Sequence, residues 1–398
     1  MTFVRFVVNG KFSRDDASMS QINRIISAVD HVVESPDVWT QRLSKAKFGD
    51  RIPHLERSRD GGDSWIVDGR QLPLADAARV GALMTDRAKM PNRWEEIPKA
   101  AYEPSARLKA MDDDSVEYTV LYPSLPGFSG EVFGAIADAE LELACVQAYN
   151  DWLIDEWAAT NERFIPQCIV PLSPIEATVS EIKRAVSRGH RGVIFPAEPM
   201  HLRKLPHINS SDYDPVWATC QDLGVPLCFH AGSAPQLQFP MAPNLSPELA
   251  AAFQSIVRPA SAVFDLTNFL FSRILLRYPN LKVVFAESTI GWGTFLLEYA
   301  DHQYEQDHCD YALKPSEMFH RQCYLSTWYD EAKTNARHIG TENILWSTNF
   351  PTANSTWPET EHFATKCLAG MSEVEQRRIL SVNAAKLYKV DWSDGVLE

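Results

Sequence analysis

His31, His230 and Glu287 each stand at the end of a short apolar run that reads as a β-strand. Val29 and Asn349 occupy two comparable strand-end positions. Side chains sent from several strand ends to one point are how a parallel barrel builds a metal site at its C-terminal mouth. Two imidazoles and one carboxylate are enough to hold one divalent ion with coordination positions left open. Water on such an ion is acidified. Zinc is the default expectation, with Fe or Mn as alternatives of the same ligand chemistry.

The elements that must position these groups can be followed along the chain. Eight apolar or β-branched runs occur, over 25–32, 117–124, 164–172, 191–197, 225–232, 281–288, 322–330 and 342–351. Continuous apolar runs suit parallel strands covered on both faces. Helical patterns lie between them, at 139–161, 173–189, 213–224, 259–279, 291–308 and 372–388. Strand alternating with helix predicts an α/β fold, a (β/α)8 TIM barrel. It has a long insertion after strand 1 (35–115) and a lid loop after strand 5 (233–258). The expected organisation is an N-terminal arm (1–24), a single barrel domain (25–390) that includes the insertion, and a C-terminal tail (391–398). An aromatic pocket at the strand ends is expected from Trp292, Trp328 and Phe229, with Trp39 of the insertion as a further wall.

Composition excludes some partners. The formal net charge is -14, which argues against nucleic acid and anionic membrane surfaces. The seven cysteines are scattered, odd in number and without a C-x-x-C pair, as expected of reduced, buried thiols in a cytoplasmic protein. The start MTFVRFVVNGKF is interrupted by Arg5 and reads as a strand-like arm rather than a signal peptide. No apolar run reaches the roughly 18 residues of a membrane span.

Taken in order, ISAVDHVVESPDVW, RDGGDSWIVDGR, LACVQAYNDWL, GHRGVIFPAEP, DYDPVW, CFHAGS, VVFAESTIGW, LWSTNFPTANSTWPET and ILSVNAAKLY resemble the amidohydrolase-related superfamily. The branch is that of metal-dependent decarboxylases and hydrolases of small carboxylates. The resemblance runs from about residue 24 to residue 390. It implies a first-strand ligand pair falling on Val29 and His31, a fifth-strand ligand at His230 and a sixth-strand ligand at Glu287. It also implies an eighth-strand aspartate, which binds metal and handles the proton of bound water, at Asn349.

Val29 offers no donor, and Asn349 offers only a neutral carbonyl, a weak ligand that is no base. These are lost-ligand positions, and the resemblance then implies at most a mononuclear site. Glu34 and Asp330 are the candidates to replace the missing acid–base group. Plainer roles for them are an ion pair and a helix cap.

Three functions follow as expectations. The first is a subunit with a reduced site that supports a paralogous amidohydrolase-like partner, or associates with itself. Its model is the oxygen-dependent 2-aminoisobutyrate hydroxylase-type heteromer, which acts on a small amino or carboxylic acid. The alternative is a stand-alone metal-dependent hydrolase or decarboxylase of a small carboxylate. The third is a binding protein for a small molecule.

Overall fold

The computed structural model describes residues 24–85, 90–233, 244–310 and 312–392. Eight short parallel strands form its centre: β1 (Ile25–His31), β2 (Val116–Tyr122), β3 (Phe164–Pro166), β4 (Val193–Ile194), β5 (Leu227–His230), β6 (Val283–Ala286), β7 (Cys323–Thr327) and β8 (Ile344–Trp346). Each pairs in parallel with the next; β3 reaches β4 through a single bridge between Cys168 and Val193. The ring closes from β8 to β1 through irregular hydrogen bonds. Asn349 N–H donates to Val29 O (3.0 Å) and His31 N–H donates to Phe350 O (2.6 Å). The expected TIM barrel is therefore present, and the closure runs through the positions singled out for chemistry.

All seven β1 residues are buried, as an apolar strand under two layers requires. Between Ser27 and Asp30 the register with β2 slips by one residue. A bulge of this kind re-aims the side chains beyond it. Asp30 consequently lies in the strand layer, where it accepts from Ser27 Oγ (3.0 Å), Phe350 N–H (2.9 Å), Thr119 Oγ1 and Thr348 Oγ1. One carboxylate thus ties β1, β2 and the end of β8. Its countercharge is Arg107, buried and donating to His31 O (2.7 Å) and Ala100 O (2.7 Å).

The insertion has a fold of its own. Strands His54–Arg57, Asp63–Val67 and Arg70–Pro73 form an antiparallel sheet. Asp68 and Gly69 turn between the last two at φ +49° and +77°, as a two-residue hairpin turn demands. Trp39 is buried here, edge-on to Trp65 (5.6 Å) and Phe133 (5.5 Å), with its indole N–H on Cys145 O. It anchors the insertion to the barrel and is not a pocket wall. Further along, Ala82 N–H donates to Pro351 O (3.0 Å), which brings the segment around Arg79 to the barrel mouth.

The expected lid after strand 5 contains a helix that the sequence reading passed over, Pro247–Val257; residues 234–243 lie outside the described residues. The predicted arm also lies outside them except for Arg24, as does the predicted tail beyond Trp392. Six of the seven cysteines are buried and all are free thiols. No helix among the described residues is long and apolar enough to cross a membrane.

Removing Arg107 leaves Asp30 buried without a countercharge, a situation that typically costs about 3–5 kcal/mol. Urea unfolding of Arg107→Leu is expected to show a loss of that order. A loss below about 1 kcal/mol, the value of a surface pair, would refute this role.

Candidate metal centre

At the C-terminal mouth His31, His230 and Glu287 converge, with one ligand atom from each within 4.8 Å of the others. They are at most 2% exposed. Backbone carbonyls fix both tautomers: His31 Nδ1 lies 3.3 Å from Pro123 O, and His230 Nδ1 lies 2.9 Å from Ala231 O. A carbonyl only accepts, so each Nδ1 carries the proton and each neutral ring presents a bare Nε2. Neither Nε2 has a hydrogen-bond partner, and neither has Glu287 Oε2. His230 Nε2 and Glu287 Oε2 nevertheless stand 3.3 Å apart. That distance also satisfies an ion-pair criterion. Burial, however, drives the His230 pKa down to about 3, so we read the contact as two acceptors facing each other. His31 is likewise lowered to about 3, by burial first and then by His230. Two lone-pair nitrogens and a carboxylate oxygen facing one another in a buried space fit a divalent cation.

Glu287 is shaped for one task. Its backbone is left-handed (φ +49°), a strained state for a non-glycine residue and one that concentrates at functional sites. Its Oε1 accepts from Asn354 Nδ2 (2.8 Å) and faces Arg258 Nη1 (3.4 Å), leaving Oε2 toward the imidazoles. Asn349 is fully buried, also left-handed (φ +53°), and both amide atoms lack partners. Val29 is fully buried and contributes only its carbonyl to barrel closure.

The loop after β2 supports both imidazoles. Phe128 packs on His31 (4.3 Å) and His230 (4.6 Å), and Ser129 Oγ accepts from His230 N–H (3.1 Å). Arg79, left-handed at φ +46°, lays its guanidinium over Phe128 at 4.3 Å.

The two candidate acid–base residues are placed otherwise. Glu34 gives both oxygens to this loop, accepting from Ser124 N–H (2.9 Å) and Leu125 N–H (2.8 Å). Burial pushes its pKa up to about 7 against those bonds. Asp330 accepts from Ile290 and Gly291 N–H and from Thr327 Oγ1, so it fixes the start of the helix Gly291–Gln306. That helix precedes it in sequence; the helix that follows is capped by Glu331.

A cleft of about 300 Å³ opens from Glu287 past Arg258, Asn354, Trp328, Tyr329 and Phe363. Of the aromatics expected to line a substrate pocket, Trp328 stands in the wall of this cleft. Phe229 does not: strand alternation turns it opposite to His230, into the helix layer against Phe269 and Phe285. Trp292 donates to Ser288 O and packs among the buried apolar side chains behind the strands. Sequence reasoning missed Arg79, Arg258 and Asn354. Only Arg258 left a trace, as a lone cation within AAAFQSIVRPASAVF.

A closed parallel barrel with imidazoles and a carboxylate gathered at its C-terminal mouth is the arrangement with which such barrels can hold a divalent cation. Comparison with known proteins narrows the class. The amidohydrolase family model matches residues 92–390, and the chain belongs to that family. Curated relatives include the gamma-resorcylate decarboxylase of Rhodococcus jostii (strain RHA1), 24% identical over 328 residues, which are 75% of this chain and 91% of the relative. The 2-amino-3-carboxymuconate-6-semialdehyde decarboxylase of Dictyostelium discoideum is 23% identical over 214 residues, 51% of either chain. Among solved structures, an amidohydrolase of Mycobacterium avium subsp. paratuberculosis K-10 superposes with a TM-score of 0.73 at 23% identity, covering 93% of this chain and 100% of its own. A 2,6-dihydroxybenzoate decarboxylase from Rhizobium superposes with a TM-score of 0.64 at 16% identity, covering 93% and 100%. A dihydroxybenzoic acid decarboxylase of Polaromonas sp. JS666, solved with bound manganese, gives 0.63 at 19% identity, covering 95% and 100%.

The folded pKa of both histidines lies below the unfolded value of 6.5. Unfolding therefore takes up protons between these values, and stability falls as pH drops from about 6.5 toward 3. Buried carboxylates such as Glu34 act in the opposite sense, so the contribution must be isolated as a difference. The stability of the metal-free protein relative to a His31→Gln, His230→Gln variant is expected to decline over that window. A difference that does not vary with pH would show that the imidazoles are not held neutral.

Proposed function

We propose that this chain is a decarboxylase of a small carboxylate that uses one divalent ion held by His31 Nε2, His230 Nε2 and Glu287 Oε2. The observation that carries the reading is the donor set itself: buried, tautomer-locked and without partners. When bound, the ion supplies electrostatic stabilisation of negative charge developing on the substrate. Manganese is the better-supported ion, since the Polaromonas decarboxylase was solved with it; nothing comparable favours zinc.

The same residues speak against hydrolysis. A hydrolase needs a base for the attacking water, and Asn349 cannot take a proton. Among the described residues that line the cleft, Glu287 is the only carboxylate, and one of its oxygens is occupied. Loss of a carboxylate as carbon dioxide requires no activated water nucleophile: the carbon–carboxylate bond breaks, its electron pair stays on the carbon, and that carbon takes one proton from water in the cleft in place of the carboxyl group. The loss requires an anion to be held with its charge-bearing end near a cation and its body away from solvent. Arg258 in the cleft and Arg79, over Phe128 beside the imidazoles, attract the anion, and Trp328, Tyr329 and Phe363 form an apolar wall for a planar body. The expectation of a supporting hydroxylase subunit finds no backing among these relatives, and we set it aside.

Manganese-loaded protein is expected to release carbon dioxide from a hydroxybenzoic acid such as 2,6-dihydroxybenzoate. His230→Ala should lower kcat/KM by at least about 10³-fold, the scale of losing an electrostatic stabiliser. Ester or amide hydrolysis with no carbon dioxide release would sink the proposal. Arg79→Met should raise KM more than it lowers kcat, because it removes attraction for the anion rather than a contact made only in the transition state.

A further inference from the structure

We propose that Arg258 is a resident second cation of this centre, which confines Glu287 to a single metal-facing oxygen and offers its guanidinium to the substrate's anionic group. Only the identity of that anion rests on the decarboxylase reading; the effect on ion binding does not.

A carboxylate that bridges two metal ions must give one oxygen to each. Here Oε1 of Glu287 is taken by Asn354 Nδ2 at 2.8 Å and by Arg258 Nη1 at 3.4 Å. Guanidinium does not deprotonate in proteins, so this positive charge is permanent. It draws on the same carboxylate that an ion would use and repels any second ion brought to it. The centre therefore has a fixed organic cation where an altered ligand set would otherwise leave the carboxylate free for more metal.

The surrounding chain is built to keep Arg258 there. Its side chain crosses Gly232, where an added Cβ would fall 2.4 Å from Arg258 Cγ and 2.7 Å from Cδ. Gly232 is also left-handed at φ +84°, a conformation natural to glycine. Ser261 Oγ accepts from Gly232 N–H (2.8 Å) and donates to Arg258 O (3.0 Å), pinning both backbones. Both members of the pair line the cleft, and with Glu287 2% exposed and Arg258 30% exposed along their side chains, the guanidinium is the more accessible of the two. Its planar fork suits a carboxylate better than an ammonium would. An anion entering the cleft meets Arg258 on one side and the metal position on the other.

The test titrates Mn²⁺ into the wild type, Arg258→Met, Arg258→Lys and Gly232→Ala by calorimetry, then titrates benzoate into each manganese-loaded protein. Wild type should bind one equivalent of Mn²⁺. Arg258→Met should bind Mn²⁺ about tenfold more tightly, because a neighbouring positive charge is gone. The same variant should bind benzoate at least about tenfold more weakly. Arg258→Lys should keep wild-type Mn²⁺ affinity but recover benzoate binding only in part. Gly232→Ala should follow Arg258→Met, having displaced the side chain without deleting its charge. A residue that serves only the fold would not tighten Mn²⁺ when removed. Unchanged or weaker Mn²⁺ binding by Arg258→Met, or undiminished benzoate binding, overturns this proposal and leaves the metal reading standing. Failure of the wild type to bind Mn²⁺ overturns both.

Discussion

Three lone pairs point at one another in the mouth of this barrel with no proton among them. Carbonyls at Pro123 and Ala231 occupy the protonated nitrogen of each imidazole, so His31 Nε2 and His230 Nε2 face Glu287 Oε2 as acceptors. Burial suppresses the protonation that would otherwise relieve the repulsion. Buried acceptors without donors are costly, and structures retain such groups where a ligand compensates them. Much of the surrounding architecture serves to hold this unfavourable arrangement in place.

That holding is distributed over the loop after β2 and the junction of β8 with β1. Glu34 clamps the start of the loop, whose Pro123 orients His31, whose Phe128 packs on both rings, and whose Ser129 takes the His230 N–H. Asp30 binds β1 to β2 and to the end of β8, and Arg107 holds Asp30 in charge balance. Ligand orientation by such surrounding groups commonly changes metal affinity by about 10–100-fold. The two carboxylates nearest His31 in sequence are thus both structural.

The parts of this arrangement that were readable in the chain are those with a local pattern. Continuous apolar runs announced the strands, and their polar last residues announced His31, His230 and Glu287. The same strand logic would have removed Phe229 from the pocket, since side chains alternate and His230 already points inward. Trp39 and Trp292 looked like pocket aromatics because composition cannot tell a wall from an anchor. Asp330 stands before the helix Ala332–Ile339 in sequence, yet its oxygens reach the start of the preceding helix across space. Arg79, Arg258 and Asn354 come from loops whose paths are set by tertiary contacts, such as Ala82 on Pro351 and Ser261 between Gly232 and Arg258. The helix Pro247–Val257 was hidden behind the proline-rich SAPQLQFPMAPNLSP.

Asn349 gives the electrostatic logic its direction. An aspartate there would add negative charge and a base, both useful for ionising water and passing its proton on. The amide supplies neither, while Arg79 and Arg258 add positive charge at the rim. Two neutral imidazoles and one carboxylate leave a divalent ion with net positive charge, and Arg258 extends that field into the cleft. On the decarboxylase reading we propose, such a field favours an anionic substrate and lowers the energy of a transition state in which electrons from a breaking carbon–carboxylate bond are left on the carbon that is then protonated. It gives no outlet to the proton of an attacking water. On that proposed reading, the substitution that looks like damage to a hydrolytic site is, in charge terms, an adjustment toward stabilising a carbanion-like state.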